Sequence, residues 1–513
     1  MQATRDVLVL TGAFEASLRE ALPRKLRLVD RAEHSDVPIM LRDTHDQDLR
    51  DAGQILVQFD NDWVLIGSDG LMIEGPFAAS GFVADLPAGP LRDGLSSVPD
   101  LRALLPLASG TGARQSLALL DDEDKTLARL FLLCLSGPGG SVTLASLQGL
   151  RGYDKALAQL RKALLPAATR PDQLAEKVFA ALAPDLPRYV AKPDIPMARD
   201  DNAFDAASRI NVAYIDVARL NEDGVMADLD TEFLHDYRVA LRKVRSVLSL
   251  FKGVYSDPQT IMLKEAFSEH MAHTGRLRDL DVYLLDRQTY FDLVPNSLHP
   301  GLDVMFAAFE AERKTCLKAI AKRFKSKAYD KNISDLREMF VTPTALQAGP
   351  NGALDCETYA KQLIWKRYRK VCKIARAIDE QTPDDDVHEL RIHCKKLRYL
   401  MEFFTPMFDK AEVKIMIKAL KKLQDVLGLF NDYSVQQDSL RDFLEARAAV
   451  APRSAKSRAQ EMAVAQSVGA LIAILHRRQL EQRALVEARF AEFDSKGTRA
   501  RFVAQFQAGE ARI

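Results

Sequence analysis

The tract HDYRVALRKVRSVLSLF at residues 235–251 has a second version, HELRIHCKKLRYLMEFF, at residues 388–404. Aligned without a gap, the two tracts share the histidine, the spacing of the basic residues and the last phenylalanine, at an offset of 153 residues. The register continues beyond the tracts, because Gly275 and Asp279 also recur at this offset. Two tracts that keep register over about fifty positions indicate an internal duplication of a helical unit.

Each tract has the period of an amphipathic helix with one basic edge. At about 100° per residue, positions 0, 3, 7 and 10 fall within about 80° of one another. Apolar residues such as Tyr237, Leu241 and Val244 fall on another side, which predicts a core-facing surface. The edge residues are His235, Arg238, Arg242 and Arg245 in the first copy, and His388, Arg391, Lys395 and Arg398 in the second. Like charges one turn apart destabilise a helix by a few tenths of a kcal/mol per pair, roughly, so a duplicated cationic edge predicts a compensating anion.

The residue types on this edge favour a row of phosphates as that anion. Arginine forks and lysine point charges both bind phosphate oxygens, and we interpret each histidine as an additional phosphate donor. Lys243 and Lys396 are the next candidates after the edge residues. Further candidates on neighbouring helices are Lys322, Arg323, Lys366, Arg367, Lys370, Lys373, Lys421 and Lys422.

Two other site types are not expected from the duplicated edge. Neither histidine has a second histidine or a carboxylate at i+3 or i+4 on its face, so no metal site is predicted. The neighbouring aromatic residues have core spacing rather than the spacing of exposed stacking platforms. No nucleic-acid-binding signature occurs either, so nucleic acid is not expected as the specific ligand.

Composition and charge limit the classes of protein to which this chain can belong. The 513 residues, 47% hydrophobic and 28% charged, predict an ordinary globular protein of two or three domains. Residues 1–150 carry 13 Lys/Arg against 21 Asp/Glu. Residues 151–513 carry 58 Lys/Arg against 50 Asp/Glu. This asymmetry suggests that the second part meets an anion, although net charge alone would also fit scatter between two ordinary domains.

The location predicted from the sequence is the cytoplasm. We expect no membrane span, since no long uncharged apolar run occurs, and no secretory signal. The five cysteines are an odd number without metal-ligand spacing, which fits a reducing compartment.

The pattern along the chain predicts two structural classes. Residues 1–150 show short β-like runs separated by turn signals, which predicts an α+β domain. From about residue 203 onward nearly all of the chain reads as long amphipathic helices, which predicts a large all-α domain.

Residues 203–490 resemble a conserved-histidine α-helical domain (CHAD). The resemblance lies in the two tracts above, in GRLRDLDVYLL after the first and in LKKLQDVLGLFNDYSV after the second. It implies two pseudo-symmetric four-helix bundles with a basic central surface that binds inorganic polyphosphate and brings the protein to polyphosphate granules. It assigns this binding to the edge residues of both copies, with Lys243 and Lys396 as secondary contacts. Lysine in place of arginine at 395 and 396 keeps the charge but loses the bidentate fork.

The N-terminal part is similar to a CYTH domain, the triphosphate-tunnel fold. The similarity lies in RDTHDQDLRDAGQILVQFDNDWVLIGS, at residues 42–68, and in LQGLRGYDKAL. The Glu-x-Glu-x-Lys that opens this family is absent from DVLVLTGAF, its Arg-x-Arg pair is replaced at Val57 and Phe59, and its following lysine by Ser68. Arg114 alone could survive from the basic set. The resemblance therefore predicts a tunnel-like domain without catalytic residues, used for scaffolding, homodimerisation or binding a protein partner.

The resulting domain prediction has four segments. They are a degenerate CYTH-like domain at 1–165, a helical linker at 166–200, a CHAD domain at 201–495 with halves of about 201–340 and 355–495, and a tail at 496–513.

The function expected from these observations is non-enzymatic binding of inorganic polyphosphate in the cytoplasm, on polyphosphate granules, without a cofactor or catalytic residue. A competing hypothesis is a metal-dependent tri- or polyphosphatase that uses the N-terminal domain, against which the lost carboxylates and cations argue. Two further hypotheses stay open at the level of sequence. The basic edges could bind nucleic acid non-specifically, or they could bind an acidic protein.

Overall fold

A computed structural model describes residues 6–10, 14–31, 36–60, 62–68, 72–76, 78–169, 173–342, 344–449 and 454–507 of the chain. The chain divides into two compact units, Met1–Ala191 and Lys192–Ile513. The predicted order, an α+β domain followed by an all-helical region, is confirmed, and the sheet of the first unit is antiparallel.

The first unit is built on one curled, half-barrel antiparallel sheet. Its described strands run in the order β10-β1-β9-β8-β7-β3-β4-β5-β6, with β2 also paired to β7. The strands are β1 (Asp6–Leu10), β2 (Arg27–Asp30), β3 (Val37–Asp43), β4 (Ile55–Phe59), β5 (Asp62–Ile66), β6 (Met72–Pro76), β7 (Leu105–Leu120), β8 (Thr126–Gly137), β9 (Gly140–Gly149) and β10 (Ala168–Thr169). The helices are α1 (Glu15–Ala21), α2 (Asp48–Asp51), α3 (Pro90–Gly94), α4 (Asp154–Leu164) and α5 (Leu174–Leu182).

Both faces of this sheet are covered. Alternate residues of a strand point to opposite faces, so in β1 Val7 and Val9 join one buried cluster while Leu8 and Leu10 join another. The first cluster includes the apolar side of α5, and the second includes α1 and α4. Because α5 lies in the segment predicted as linker, part of that segment belongs to the packed core of the first unit.

The regular structure of the second unit is helical in its described part, with irregular segments such as 192–202 and 344–355 and two isolated β-bridges between helices. Its helices are α6 (Ala203–Ala227), α7 (Thr231–Leu250), α8 (Asp257–Leu285), α9 (Arg287–Leu293), α10 (His299–Phe324), α11 (Lys327–Val341), α12 (Cys356–Ala375), α13 (Asp384–Phe403), α14 (Lys410–Ala448), α15 (Ala455–Ala484), α16 (Val486–Phe493) and α17 (Lys496–Phe506). In the segment predicted as tail, Phe502 and Phe506 of α17 are fully buried.

Helix bounds repeat at the offset seen in the sequence. The helix α7 begins at Thr231 and α13 at Asp384, and α8 begins at Asp257 and α14 at Lys410, so both pairs differ by 153. Local capping explains the start of α7, where the Asp230 carboxylate accepts hydrogen bonds from backbone N–H groups in the first turn. The start of α13 instead carries three aspartates, which the helix dipole stabilises.

Equivalent positions of the two copies also contact each other. The backbone N–H of Ala203 donates to the carbonyl of Leu354, and that of Cys356 donates to the carbonyl of Asp201, each at 2.8 Å. At the ends of the two tracts, the rings of Phe251 and Phe404 stack with centroids 4.9 Å apart.

Candidate anion-binding cavity

The helices α7 and α13 present their basic edges next to a buried apolar face, as the helical period predicts. In α7, Tyr237, Leu241 and Val244 are fully buried, whereas Arg238 and Arg242 are half-buried. The equivalent edge of α13 is half-buried at Arg391, Lys395 and Arg398. Its predicted inward face is fully buried, at Leu390, Leu397, Met401 and Phe404. The cationic groups are therefore held at the surface of a rigid core.

Cations of both copies meet in one cavity of the helical unit, about 640 Å³ in volume. We refer to it as the cationic cavity. The predicted site residues that line it are His235, Arg238, Arg242, Arg391 and Lys395. The structure thus brings together residues that lie more than 140 positions apart in the sequence.

Arg238 and Arg391 are fixed by different contacts. One Nη of Arg238 donates to the carbonyl of Met271 at 3.0 Å and to the Thr274 hydroxyl at 2.7 Å. An Nη of Arg391 lies 3.4 Å from the carboxylate of Asp432. Burial lowers the pKa of both guanidinium groups, but both remain charged because arginine starts above 12.

Arg242 and Lys395 carry charge without a close acidic partner. Neither forms an ion pair with a carboxylate of the described part of the chain. Burial lowers the pKa of Lys395 to about 8, and the nearby charges of Arg391 and Arg242 act in the same direction. The Nε atoms of Arg242 and Arg391 are buried and have no hydrogen-bond acceptor among the described residues. This local excess of positive charge and free donors matches an anion with several oxygen atoms.

The other edge residues lie beside the cavity rather than in its described wall. Nδ1 of His388 donates to Oδ1 of Asn431 at 2.6 Å, and Asn431 lines the cavity. Arg245 is half-buried, and Nε of Arg398 lies 3.4 Å from Glu402. Contact of Arg245, His388 and Arg398 with an anion stays a prediction, and it requires an anion that extends beyond the cavity.

The two secondary lysines differ in their surroundings. Lys243 is buried, with its ammonium group paired to Glu402 and 4.2 Å from the centre of the Tyr399 ring. It therefore connects α7 to α13. Lys396 is half-buried, and burial and then the charge of Arg367 lower its pKa.

The further candidates fall on separate surfaces. Lys366, Lys370 and Lys373 lie on an exposed side of α12, where they border a hollow of about 1130 Å³ together with Arg369 and Trp365. We refer to Lys366, Arg369, Lys370 and Lys373 as the α12 surface. Two of the remaining candidates have side-chain partners: Arg367 donates to His393, and Arg323 pairs with Glu269. The other three are exposed: Lys322, Lys421 and Lys422, the last at the border of a smaller hollow.

Cavity residues outside the prediction come mainly from α8 and α14. Arg278, Asp279, Asn431 and Asp432 line the cavity. The sequence contained a signal for them, because Asp279 and Asp432 hold the same register as the basic tracts. The apolar pair Val282 and Val435 also holds this register, whereas the other apolar members of the wall gave no such signal.

In the first unit, two of the positions compared above with a triphosphate tunnel carry core side chains. Val57 and Phe59 of β4 belong to the apolar cluster that packs on α5, and Ser68 is exposed. The guanidinium of Arg114 lies 4.6 Å from the Phe59 ring centre and 3.3 Å from Glu74. Of the tract DVLVLTGAF, residues 11–13 lie outside the described residues.

The aspartate–threonine turn in this unit has a structural role. The buried carboxylate of Asp43 accepts three hydrogen bonds from the backbone N–H groups of Thr44, Leu49 and Arg50, at 2.7 to 2.9 Å. Burial raises the pKa of this carboxyl group to about 6. Asp43 thus shapes the turn into α2.

The described residues show neither a candidate metal site nor a candidate membrane span. They contain no group of three or more His, Cys, Asp or Glu that could hold a metal ion. A helix with the length and apolarity of a membrane span was also not found among them.

Comparisons with known proteins concern mainly the helical unit. A solved CHAD domain from the plant Ricinus communis is 22% identical and aligns over 59% of this chain and 96% of its own, with a TM-score of 0.49. PptA from Streptomyces chartreusis is 14% identical and aligns over 57% and 98%, with a TM-score of 0.40. The search of curated proteins gave no match. The family model of the CHAD domain matches residues 211–441, which contain both basic tracts, and the helical unit of this chain therefore contains a CHAD domain.

Proposed function

We propose that the helical unit binds inorganic polyphosphate in the cationic cavity, without catalysing a reaction. The observation that carries this proposal is that Arg238 and Arg242 of one copy and Arg391 and Lys395 of the other line the same cavity. A linear chain of phosphates presents oxygen atoms on all sides, so cations from two helices can bind it at once. Arginine forks and lysine ammonium groups both suit such oxygens.

The proposed architecture around this site is two four-helix bundles related by a pseudo-twofold axis. Three observations support it: the common offset of the helix starts, the paired backbone contacts at Ala203 and Cys356, and the stacked rings of Phe251 and Phe404. Near a twofold axis, equivalent residues of two copies meet, as these do. In this arrangement the axis would pass close to the polyphosphate chain.

We further propose that the first unit is a CYTH-like domain that no longer catalyses phosphate chemistry. The curled antiparallel sheet supports the fold, and the apolar cluster containing Val57, Phe59 and α5 supports the loss of the tunnel's charged interior. Phosphoanhydride hydrolysis needs placed cations or metal ligands to stabilise the transition state. The present use of this unit would be scaffolding, homodimerisation or binding of a protein partner, and polyphosphate would bring the chain to granules.

The experiment that tests polyphosphate binding compares two double variants of equal charge change. In Arg242→Gln with Lys395→Gln, two cavity cations without acidic partners are removed. The control, Lys331→Gln with Arg477→Gln, removes two exposed cations whose side chains are 76% and 73% accessible. Fluorescence anisotropy with end-labelled long-chain polyphosphate is measured over a series of salt concentrations, and circular dichroism checks that both variants fold.

We expect the cavity variant to bind more weakly and with a shallower salt dependence. Each phosphate contact of a single strand contributes a slope of about 0.7 in log K against log salt, so the slope should fall by about 1.4. The control should match the unchanged protein. Equal affinity and slope for all three proteins would overturn the proposal. Phosphate release that requires Mg²⁺ or Mn²⁺ would favour the phosphatase hypothesis, and displacement of polyphosphate by an excess of RNA would favour nucleic acid.

A further inference from the structure

The cationic cavity extends beyond the cations that define it. One Nη of Arg278 on α8 donates to the carbonyl of Thr231, the first residue of α7, at 3.3 Å. From Arg278, α8 continues to Leu285, so the helix extends about 10 Å beyond this contact at a rise of 1.5 Å per residue. On the other side α14 likewise continues past Asn431, whose side chain contacts His388 near the start of α13. Part of the cavity therefore lies past the N-terminal ends of both basic helices.

The wall of this extension is largely uncharged, and we call it the apolar end. Two apolar residues of α14, Leu429 and Val435, are 44% and 55% exposed although they line the cavity. The other apolar and aromatic members are Val282, Tyr283, Tyr290, Leu293, Tyr433 and Leu475. A chain of phosphates gains nothing from such a wall, because it has no apolar surface to bury.

Charged residues of both signs line the cavity besides the cations named above: Arg278 and Arg478, and three aspartates, of which Asp432 lies 3.4 Å from Arg391. The carboxylates of Asp279, Asp286 and Asp432 line the cavity, and all three residues are exposed. Phosphate oxygens next to these carboxylates would be repelled, whereas the hydroxyl groups of a sugar would donate hydrogen bonds to them.

The apolar end is duplicated only in part, because its wall repeats an apolar residue at the offset of 153 only at Val282 and Val435. Its wall includes Thr289, Tyr290 and Leu293 of α9, a short helix that follows α8 after a break at Asp286. The equivalent α14 runs on without a break to Ala448. A ligand in the cavity would therefore bind with one orientation, its phosphates among the duplicated cations and its other end against α9 and α14.

We propose that the cationic cavity binds a nucleoside phosphate. The phosphates would contact Arg238, Arg242, Arg391 and Lys395, the sugar hydroxyls would donate to the carboxylates, and the base would pack against the apolar end. The cavity volume of about 640 Å³ lies in the range of small-molecule sites. This inference rests, like the proposed function, on phosphate binding to the cationic residues. It differs in naming an organic ligand for the same cavity.

Calorimetric titration of the full chain with three probes tests the proposal. Adenosine triphosphate and tripolyphosphate carry the same number of phosphates, so their difference reports the nucleoside, and adenosine reports the nucleoside without phosphate. The test variant is Leu429→Ser with Val435→Ser, which removes apolar contacts and leaves every charge in place. The control, Val341→Ser with Ile415→Ser, changes two residues that are each 46% exposed and lie outside the cavity wall among the described residues.

We expect adenosine triphosphate to bind at least about tenfold more tightly than tripolyphosphate, since the nucleoside adds buried apolar area. The test variant should lose about tenfold in affinity for adenosine triphosphate and none for tripolyphosphate. Equal binding of the two probes, or an equal loss for both in the test variant, would overturn the inference. Long-chain polyphosphate, measured on the same samples, separates the two proposals: if it binds and adenosine triphosphate does not, only this inference fails. If adenosine triphosphate binds with the expected losses and polyphosphate does not, only the proposed function fails.

Discussion

Lys395 shows how a single residue reports on the chemistry of the cavity. Its ammonium group is partly buried next to Arg391 and Arg242, which lowers its pKa to about 8. A lysine in such a place is destabilising for the empty protein while it is charged, because both burial and like charges oppose protonation. The residue contributes favourably only when an anion is present. A partly buried, unpaired cation of this kind is typical of a binding site rather than of a structural core.

This environment predicts a pH dependence of polyphosphate binding. Under the proposed function, phosphate binds the protonated form of Lys395. Affinity should therefore fall as the pH rises from about 7 through about 8 to about 9, by about fivefold for the loss of one ionic contact. Lys395→Arg should bind with nearly constant affinity over this range, since arginine stays charged. Anisotropy titrations at each pH measure both proteins. The same fall in both would show that Lys395 does not contact the ligand.

At the scale of the helix, α7 and α13 are alike, whereas α6 and α12 are not. The offset of 153 that relates the two basic helices also relates α6 to α12. Yet the basic residues of α12 have no basic counterparts in α6. At the offset of 153, Lys366, Arg369 and Lys373 correspond to Ala213, Asp216 and Leu220. The α12 surface is thus a basic surface that the first copy lacks.

The α12 surface also lies away from the cavity side of α13. On α13, Glu389 pairs with Lys370 of α12, and His393 contacts Arg367 of α12. At about 100° per residue, Glu389 and His393 lie roughly 120° or more around α13 from Lys395. The α12 surface and the cavity are therefore two separate basic regions, and under the proposed function each would contact phosphate.

Two separate regions predict a dependence on chain length. The variant Lys366→Gln with Arg369→Gln and Lys373→Gln should weaken binding of long-chain polyphosphate by about tenfold, because a long chain can occupy both regions and gains from multivalency. Tripolyphosphate, which is too short to span them, should bind with unchanged affinity. Competition titrations with polyphosphates of graded length provide the measurement.

A matched control for this variant removes three exposed lysines on α10 and α11. It consists of Lys314→Gln, Lys318→Gln and Lys331→Gln, so the change in net charge is the same. If the control weakens long chains as much as the α12 variant does, the effect comes from net charge and the α12 surface has no specific role.

At the scale of the whole molecule, the chain contains two units with separate cores. The clusters that cover the sheet lie within Met1–Ala191, and the cluster that joins α8, α9, α10, α14 and α15 lies within Lys192–Ile513. Units with their own cores can unfold independently. A ligand that binds one folded unit stabilises that unit in particular.

Scanning calorimetry should therefore show two unfolding transitions. Polyphosphate at about a hundred times its Kd adds about 2.7 kcal/mol to the stability of the unit that binds it, so one transition should move to higher temperature and the other should not. In Arg242→Gln with Lys395→Gln the shift should become smaller. Equal shifts of both transitions, or a shift that persists unchanged in the variant, would contradict binding in the cationic cavity.

The sequence by itself determined the classes of the two units, the duplication and the basic edges. These features depend on local periodicity, because a helix places residues three, four and seven positions apart on one face whatever surrounds it. The predicted inward face of α7, including Tyr237 and Leu241, is confirmed for this reason. The expected presence of a CHAD domain in the helical unit is confirmed as well, through the match over residues 211–441.

Only the tertiary structure decided which cations share a cavity and what else lines it. Lys243 and Arg242 are neighbours in sequence, yet the first is buried against Glu402 and Tyr399 while the second borders the cavity. The apolar end joins residues of α8, α9, α14 and α15, whose contact depends on how long helices pack, and no local pattern encodes that packing. Periodicity fixes the direction of a side chain relative to its own helix, but burial, pairing and pKa depend on neighbours that are distant in sequence.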